Sequence, residues 1–332
     1  MVRALLPALI VAATAAILFA DAPPPIPVDT LPKNMPIDTA PLGLDAPRKS
    51  KDNVPTPDRV ALGRKLFFDP ILSEDSTVAC ASCHQPNHGF ASADGLPRGI
   101  RGQLLHRKAP TLFNRDYGKA FFWDGRATTL EEQALMPIAN PEEMGSSVVS
   151  ALKRLVANTE YKSKFETVFD DGLTEKNLGK AIAAFERTLR RGDRGVDRFH
   201  DNGNREGMTA EERHGLWLYE SKANCWRCHV GSNFSDEKFH NTGVSWAKEP
   251  LDLGRFAVTK NDADRGRFKT PTLRGVALTA PYMHDGSLKT LEEVVEFYNR
   301  GGRANPNLDQ LIQPLNLSKE EIDDLVVFLK SL

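Results

Sequence analysis

CASCH, Cys80 to His84, and CWRCH, Cys225 to His229, decide how this chain is read. Together they use all four cysteines, and in each motif the second cysteine is followed directly by histidine. C-x-x-C-H is the attachment signal of a c-type haem. The two thiols take up the porphyrin vinyl groups, and the adjacent histidine becomes the proximal ligand of the iron. Two C-x-x-C pairs are also compatible with one zinc held by four thiolates, and a single pair with a thioredoxin-like redox site. Three features favour haem: a histidine after each pair, 145 positions from His84 to His229, and no βαβ pattern around either motif. The reading is two covalently bound haems c, one on Cys80, Cys83 and His84, the other on Cys225, Cys228 and His229.

Attachment of this kind takes place outside the bacterial cytoplasm, and the N-terminus agrees. Residues 1–20, MVRALLPALIVAATAAILFA, set Arg3 before an apolar run from Ala4 to Ala20. That is the pattern of a secretory signal peptide, so a periplasmic location is expected. An uncleaved membrane anchor is the alternative, because the run is nearly long enough to span a bilayer. Residues 21–55 are rich in proline and poor in aromatics, and read as an extended tether. The formal net charge is −1, from 43 basic and 44 acidic residues. It gives no reason to invoke nucleic acid or an anionic membrane as partner.

The remainder reads as helical. Thr129-Leu-Glu-Glu132, Thr209-Ala-Glu-Glu212, Thr290-Leu-Glu-Glu293 and Ser318-Lys-Glu-Glu321 each set a hydroxyl three residues before a glutamate, the signature of a capping box. Apolar residues then recur at helical spacing: Leu178, Ile182, Phe185 and Leu189 in one segment, Ile322, Leu325, Val326 and Leu329 in the last. No long alternating run argues for a sheet. One haem motif falls in each half, with the turn-rich stretch GDRGVDRFHDNGNREG at 192–207 between them. The expected fold is mostly α: two cytochrome-c-like helical domains, 56–205 and 206–332, each with one haem c.

Five further stretches stand in order around the haem motifs: FWDGR (122–126), LEEQALMPIANPEEMG (130–145), AFERTL (184–189), FHNTGV (239–244) and KTPTLRGVALTAPYMHDG (269–286). With them, residues 55–332 resemble the bacterial di-haem cytochrome c peroxidase and MauG superfamily. The resemblance implies a peroxidatic haem in the N-terminal half and a second haem, handling electrons, in the C-terminal half. It implies that Trp123 bridges the haems and that Gln133 and Glu143 form the distal polar pair, with Pro137 lining the same face. An amide there binds peroxide oxygen, and a carboxyl shuttles the proton needed for O–O cleavage.

The ligand opposite His229 is less plain. Thr290 caps a helix whose inward stripe is Leu291, Val294, Val295 and Tyr298. By spacing alone Tyr298 is as compatible with a core phenol bonded to a carbonyl. The resemblance implies a ligand, since Tyr298 stands fourteen residues after His284, where ordinary family peroxidases carry methionine and MauG-like members tyrosine. Met283, in the preceding turn, reads as packing. A phenol oxygen favours higher iron oxidation states than the His/Met pairs of electron carriers. At the first haem, Ile100 stands where ordinary peroxidases carry a lid histidine. His88 and His106 are either surface residues or, for His106, a displaced lid ligand. A calcium ion is implied at the carbonyls of Thr279 and Pro281, but Lys108 stands where the family's third ligand is asparagine, and an ammonium cannot ligate a cation.

These features place the chain in the Tyr-ligated, MauG-like branch. The expected function is a periplasmic enzyme that uses hydrogen peroxide to oxidise a protein partner, on a side chain such as tryptophan, through a high-valent state shared by the haems. One alternative is a peroxidase fed by a small cytochrome or cupredoxin. A non-catalytic di-haem carrier is another, and Ile100 argues against the closed haem it needs.

Overall fold

The computed structural model describes residues 37, 39–47, 52–202 and 205–332. The segment read as a signal peptide and most of the tether lie outside them. Eleven helices occur among the described residues: α1 Pro57–Phe68, α2 Cys80–Cys83, α3 Leu130–Ala139, α4 Val148–Ala157, α5 Thr159–Val168, α6 Glu175–Glu186, α7 Gly195–Asn202, α8 Ala210–Glu220, α9 Phe256–Thr259, α10 Leu291–Asn299 and α11 Lys319–Ser331. The only named strands are β1 Phe239–His240 and β2 Phe268–Lys269, an antiparallel pair among the described residues. The expected mostly α architecture is what forms. No described helix is long and apolar enough to cross a membrane.

Two apolar cores organise the helices. In the first, Leu62 and Leu66 of α1, Ala134 and Ile138 of α3, Leu155 of α4, Phe165 of α5 and Ile182 of α6 pack together. In the second, Leu216 and Tyr219 of α8, Leu291 and Val295 of α10, and Ile322, Leu325 and Phe328 of α11 do the same, joined by Val196 of α7. In each core a glycine lets two helices meet backbone to backbone. A β-carbon on Gly63 of α1 would lie 1.8 Å from the Ala181 carbonyl oxygen of α6. One on Gly215 of α8 would lie 2.2 Å from that of Asp324 on α11.

All four expected caps form, but only two are full boxes. Thr209 and Ser318 exchange hydrogen bonds with Glu212 and Glu321. Thr129 and Thr290 accept from the helix, but Glu132 and Glu293 reach one residue further back, to the backbone N–H of Thr128 and Lys289. The cap φ values account for the split. Near −70° the cap N–H faces the glutamate, whereas at −133° and −127° it does not.

Candidate haem sites and the contact between them

Cys80 and Cys83 begin and end the short helix α2, and Cys225 opens a single turn at Cys225–Arg227. No cysteine is in a disulfide. Among the described residues no group of three or more His, Cys, Asp or Glu side chains is arranged to hold a metal ion, so the four-thiolate zinc reading fails. The two histidines are held alike. His84 Nδ1 lies 2.9 Å from the Phe90 carbonyl oxygen and His229 Nδ1 lies 3.0 Å from that of Phe234. A proton on Nδ1 donated to the carbonyl leaves Nε2 free to bind iron, and fixes the ring. Both phenylalanines have positive φ, 56° and 49°, which turns each carbonyl onto its ring. Burial lowers both histidine pKa values, that of His229 to about 4, so each ring is neutral as iron ligation requires.

His229 lines an apolar cavity that is also lined by Leu291, Val294 and Tyr298 of α10, with Tyr282, Met283 and His284 from the preceding turn. Of the residues that offer a donor atom, two are engaged. The Tyr282 hydroxyl donates to the Val276 carbonyl at 3.2 Å, and His284 Nε2 lies 3.4 Å from Ser245 Oγ. Met283 and Tyr298 are not. The chain has five tyrosines. Tyr117, Tyr161, Tyr219 and Tyr282 all donate hydrogen bonds to the protein. The Tyr298 hydroxyl has no partner among the described residues, although burial pushes its pKa well up. Two thiols, a ring-fixed histidine and an unsatisfied phenol around one apolar cavity fit a covalently attached haem.

In the first half, Gln133 and Pro137 lie on α3, and Glu143 follows it. The Gln133 side chain makes no hydrogen bond to a described residue. Glu143 accepts from Asn140 Nδ2 at 2.7 Å, and burial raises its pKa. Ile100, 1% exposed, donates its backbone N–H to the Glu143 carbonyl at 2.8 Å, which brings the two residues side by side. His106 points to solvent, 3.6 Å from Glu142. His88 is partly buried, and its Nδ1 has no partner among the described residues. Glu186 of α6, which carries no motif signal, is buried with one carboxylate oxygen unpartnered among the described residues and a pKa pushed up by burial to about 8.

Trp123 sits where the halves meet. Its indole N–H donates to the Lys108 carbonyl at 2.8 Å, and its own carbonyl accepts from the Lys269 backbone at 2.8 Å. The Lys108 backbone in turn donates to the His284 carbonyl at 2.7 Å. The exchange is reciprocal because the segments repeat. Lys-Ala-Pro-Thr-Leu at 108–112 matches Lys-Thr-Pro-Thr-Leu at 269–273, and Trp123-Asp-Gly matches His284-Asp-Gly. The turns Phe121–Ala127 and Tyr282–Leu288 close with the same antiparallel bridge. Trp123 therefore faces its own counterpart, His284, edge to face at 6.5 Å.

Charges lock this seam. Arg107 holds Asp252 through two hydrogen bonds and Asp124 through a third. Arg115 grips Glu237 at 2.9 and 3.1 Å, with Lys269 Nζ at 3.4 Å. Burial would raise the Glu237 pKa, but Arg115 and Lys269 outweigh it and hold the carboxyl at about 2. Burial, with Arg115 beside it, lowers Lys269 to about 7. Burial lowers Lys108 to about 8, and its ammonium donates to the Ser92 carbonyl at 2.7 Å.

Comparison with known proteins places this architecture. The family model described as di-haem cytochrome c peroxidase matches residues 57–205. The methylamine utilization protein MauG of Methylorubrum extorquens is 40% identical over 286 residues, 85% of this chain and 80% of that protein. The cytochrome c551 peroxidase of Nitrosomonas europaea is 37% identical over 278 residues, 83% of this chain and 80% of that protein. Among solved structures, a MauG-like protein associated with microbial copper homeostasis superposes with a TM-score of 0.79 at 32% identity, covering 88% of this chain and 94% of its own. The diheme peroxidase BthA of Burkholderia thailandensis gives 0.73 at 26%, covering 84% and 86%. The chain thus belongs to the di-haem cytochrome c peroxidase and MauG family, as an oxidoreductase that carries two haems c.

Proposed function

We propose that the chain is a periplasmic MauG-type enzyme, which uses hydrogen peroxide to oxidise a protein partner on a side chain such as tryptophan. The observation that carries this reading is the Tyr298 hydroxyl, alone among the five tyrosines in having no hydrogen-bond partner among the described residues, on the wall of the His229 cavity. When bound, the haem on His84 supplies the iron at which the O–O bond is broken, and the haem on His229 and Tyr298 supplies a store for oxidising equivalents. Gln133 donates an amide N–H to the incoming peroxide. Glu143, whose pKa burial raises, holds and returns the proton at its carboxyl oxygen. Ile100 offers no donor with which to close the first site. Trp123, fixed at both ends by Lys108 and Lys269, passes electrons between the halves.

A cation between the halves belongs to the same reading. The Thr279 and Pro281 carbonyls suit calcium, but the buried Lys108 ammonium already donates to a carbonyl, of Ser92, in this region. We assign the structural positive charge to Lys108, with calcium the outcome to test against. The peroxidase reading is favoured by relatives named as cytochrome c peroxidases, and in its ordinary form, with a displaced lid ligand such as His106 closing the first site, it demands reduction before peroxide reacts. Mixing the all-ferric holoenzyme with peroxide, with and without a reductant, separates the two. Reaction only after reduction would return the chain to the ordinary peroxidases.

A further inference from the structure

Residues 187–194 join α6, which packs in the first core, to α7, whose Val196 packs in the second. The seam between the halves is polar, and halves joined in this way move against each other unless something holds them. A segment remote in sequence lies along this connection. Residues 39–47 belong to the proline-rich stretch read as an extended tether. The Leu42 carbonyl accepts from the Asp193 N–H at 2.8 Å. Arg190 Nη1 donates to the carbonyls of Ile37 and Thr39 at 3.0 and 3.3 Å, and its Nη2 holds Asp116 of the first half at 3.0 Å. Asp45 reaches both halves: its carbonyl accepts from the Tyr117 hydroxyl at 2.9 Å, and its carboxylate from Ser232 Oγ at 2.8 Å.

Two glycines let the segments come this close. A β-carbon on Gly192 would lie 2.6 Å from the Leu42 carbonyl oxygen. One on Gly43, whose φ is 82°, would lie 1.9 Å from Asp197 Oδ1. That carboxylate is held through both oxygens by Arg274, which is 1% exposed and whose Nη2 also donates to the Gly43 carbonyl at 2.9 Å. Hydrogen bonds from a guanidinium are stronger than those between neutral groups, so the segment is seated on a buried ion pair. Leu42 and Gly43 also line a cleft shared with His229.

We infer that residues 39–47 are a splint across the connection between the halves. They fix the orientation of one half on the other, and with it the spacing of the haems that Trp123 joins. Electron transfer falls steeply with separation, so a small rotation at 187–194 slows exchange between the haems while leaving each haem as it was. The splint stands on its own contacts; its effect on the shared oxidation rests on the function proposed above.

Two variants of the di-haem holoenzyme test it. Gly43→Val sets a branched side chain at positive φ against Asp197 and unseats the segment. Tyr117→Phe removes only the hydroxyl bond to Asp45. Trypsin should cut after Arg190, Arg191 and Arg194 several-fold faster in both, most in Gly43→Val, with cleavage after Lys162 and Lys164 of α5 as in wild type. On mixing with peroxide, the resting spectra should be those of wild type. The single rate shared by the two haems should split in Gly43→Val, the second haem following several-fold more slowly. Unchanged cleavage of the connection in both variants, or acceleration at every site in both, overturns the splint. Faster cleavage of the connection with one shared spectral rate overturns its positioning role. A wild type whose haems do not respond to peroxide overturns the proposed function and that role with it, while the cleavage comparison still decides the splint.

Discussion

A phenol beside a cavity satisfies its oxygen either from the protein or from what fills the cavity. Four tyrosines take the first course, and Tyr298 does not. Tyr298→Phe should therefore change the coordination of the C-terminal haem in absorbance and electron paramagnetic resonance, leaving the other haem's signal alone. Met283→Ala is the control, because Met283 shares the wall and is also unengaged. If the methionine variant alone changes the spectrum, the ligand is Met283. Trp123→Phe should keep both haems and peroxide binding but uncouple their responses; a merely structural indole would lower stability and leave coupling intact. Glu237 gives a pH prediction. Its folded pKa of about 2 lies below the ordinary carboxylate value, so its contribution to stability is present above about pH 4.5 and is lost as pH falls toward 2. Glu237→Gln should lower stability at neutral pH and flatten acid unfolding between those limits, as followed by circular dichroism. The haem ligands were legible because covalent attachment needs five residues in a row. The Arg115–Glu237–Lys269 cluster was not, because its members lie far apart in the chain and long polar side chains choose partners only after packing.

At the scale of elements, α3 and α10 hold equivalent positions in a repeat. Fourteen residues after Trp123 stands Pro137, and fourteen after His284 stands Tyr298. On the proposed ligation, the same helix brings an oxygen donor to one haem and a side chain with no donor to the other, so that one fold builds a closed and an open site. The fourteen-residue offset was legible in the second half. The repeat itself was overlooked because only short stretches such as Thr-Leu-Glu-Glu survive, and the matched turns and exchanged hydrogen bonds expose it. Helix starts were legible from their caps, but which glutamates complete a box depends on the cap φ, which sequence does not display. Gly63 and Gly215 gave no periodic signal, since their role is a contact with another helix. Gly215→Val pushes a side chain against the Asp324 carbonyl, and overpacking of this kind costs about 1–3 kcal/mol. Thermal unfolding monitored at each haem should show the C-terminal half melting earlier; an unchanged midpoint would mean that α8 and α11 separate freely.

Across the whole molecule, the seam between the halves is a set of polar contacts around Trp123, and Lys108 supplies a buried cation there. An ammonium built into the chain cannot be chelated. Strong chelators should leave both haem spectra and stability unchanged in the wild type, whereas Lys108→Asn should acquire dependence on calcium. Loss of coupling in the chelated wild type would show that a metal ion, not Lys108, holds the seam. The central claim is that the first haem is open at rest and its oxidation is shared across that seam. Stopped-flow mixing of the all-ferric holoenzyme with one equivalent of peroxide, without reductant, tests it most directly. The account predicts immediate change in both haem spectra with a single rate. Silence until one haem is reduced, or change confined to the haem on His84, would contradict it.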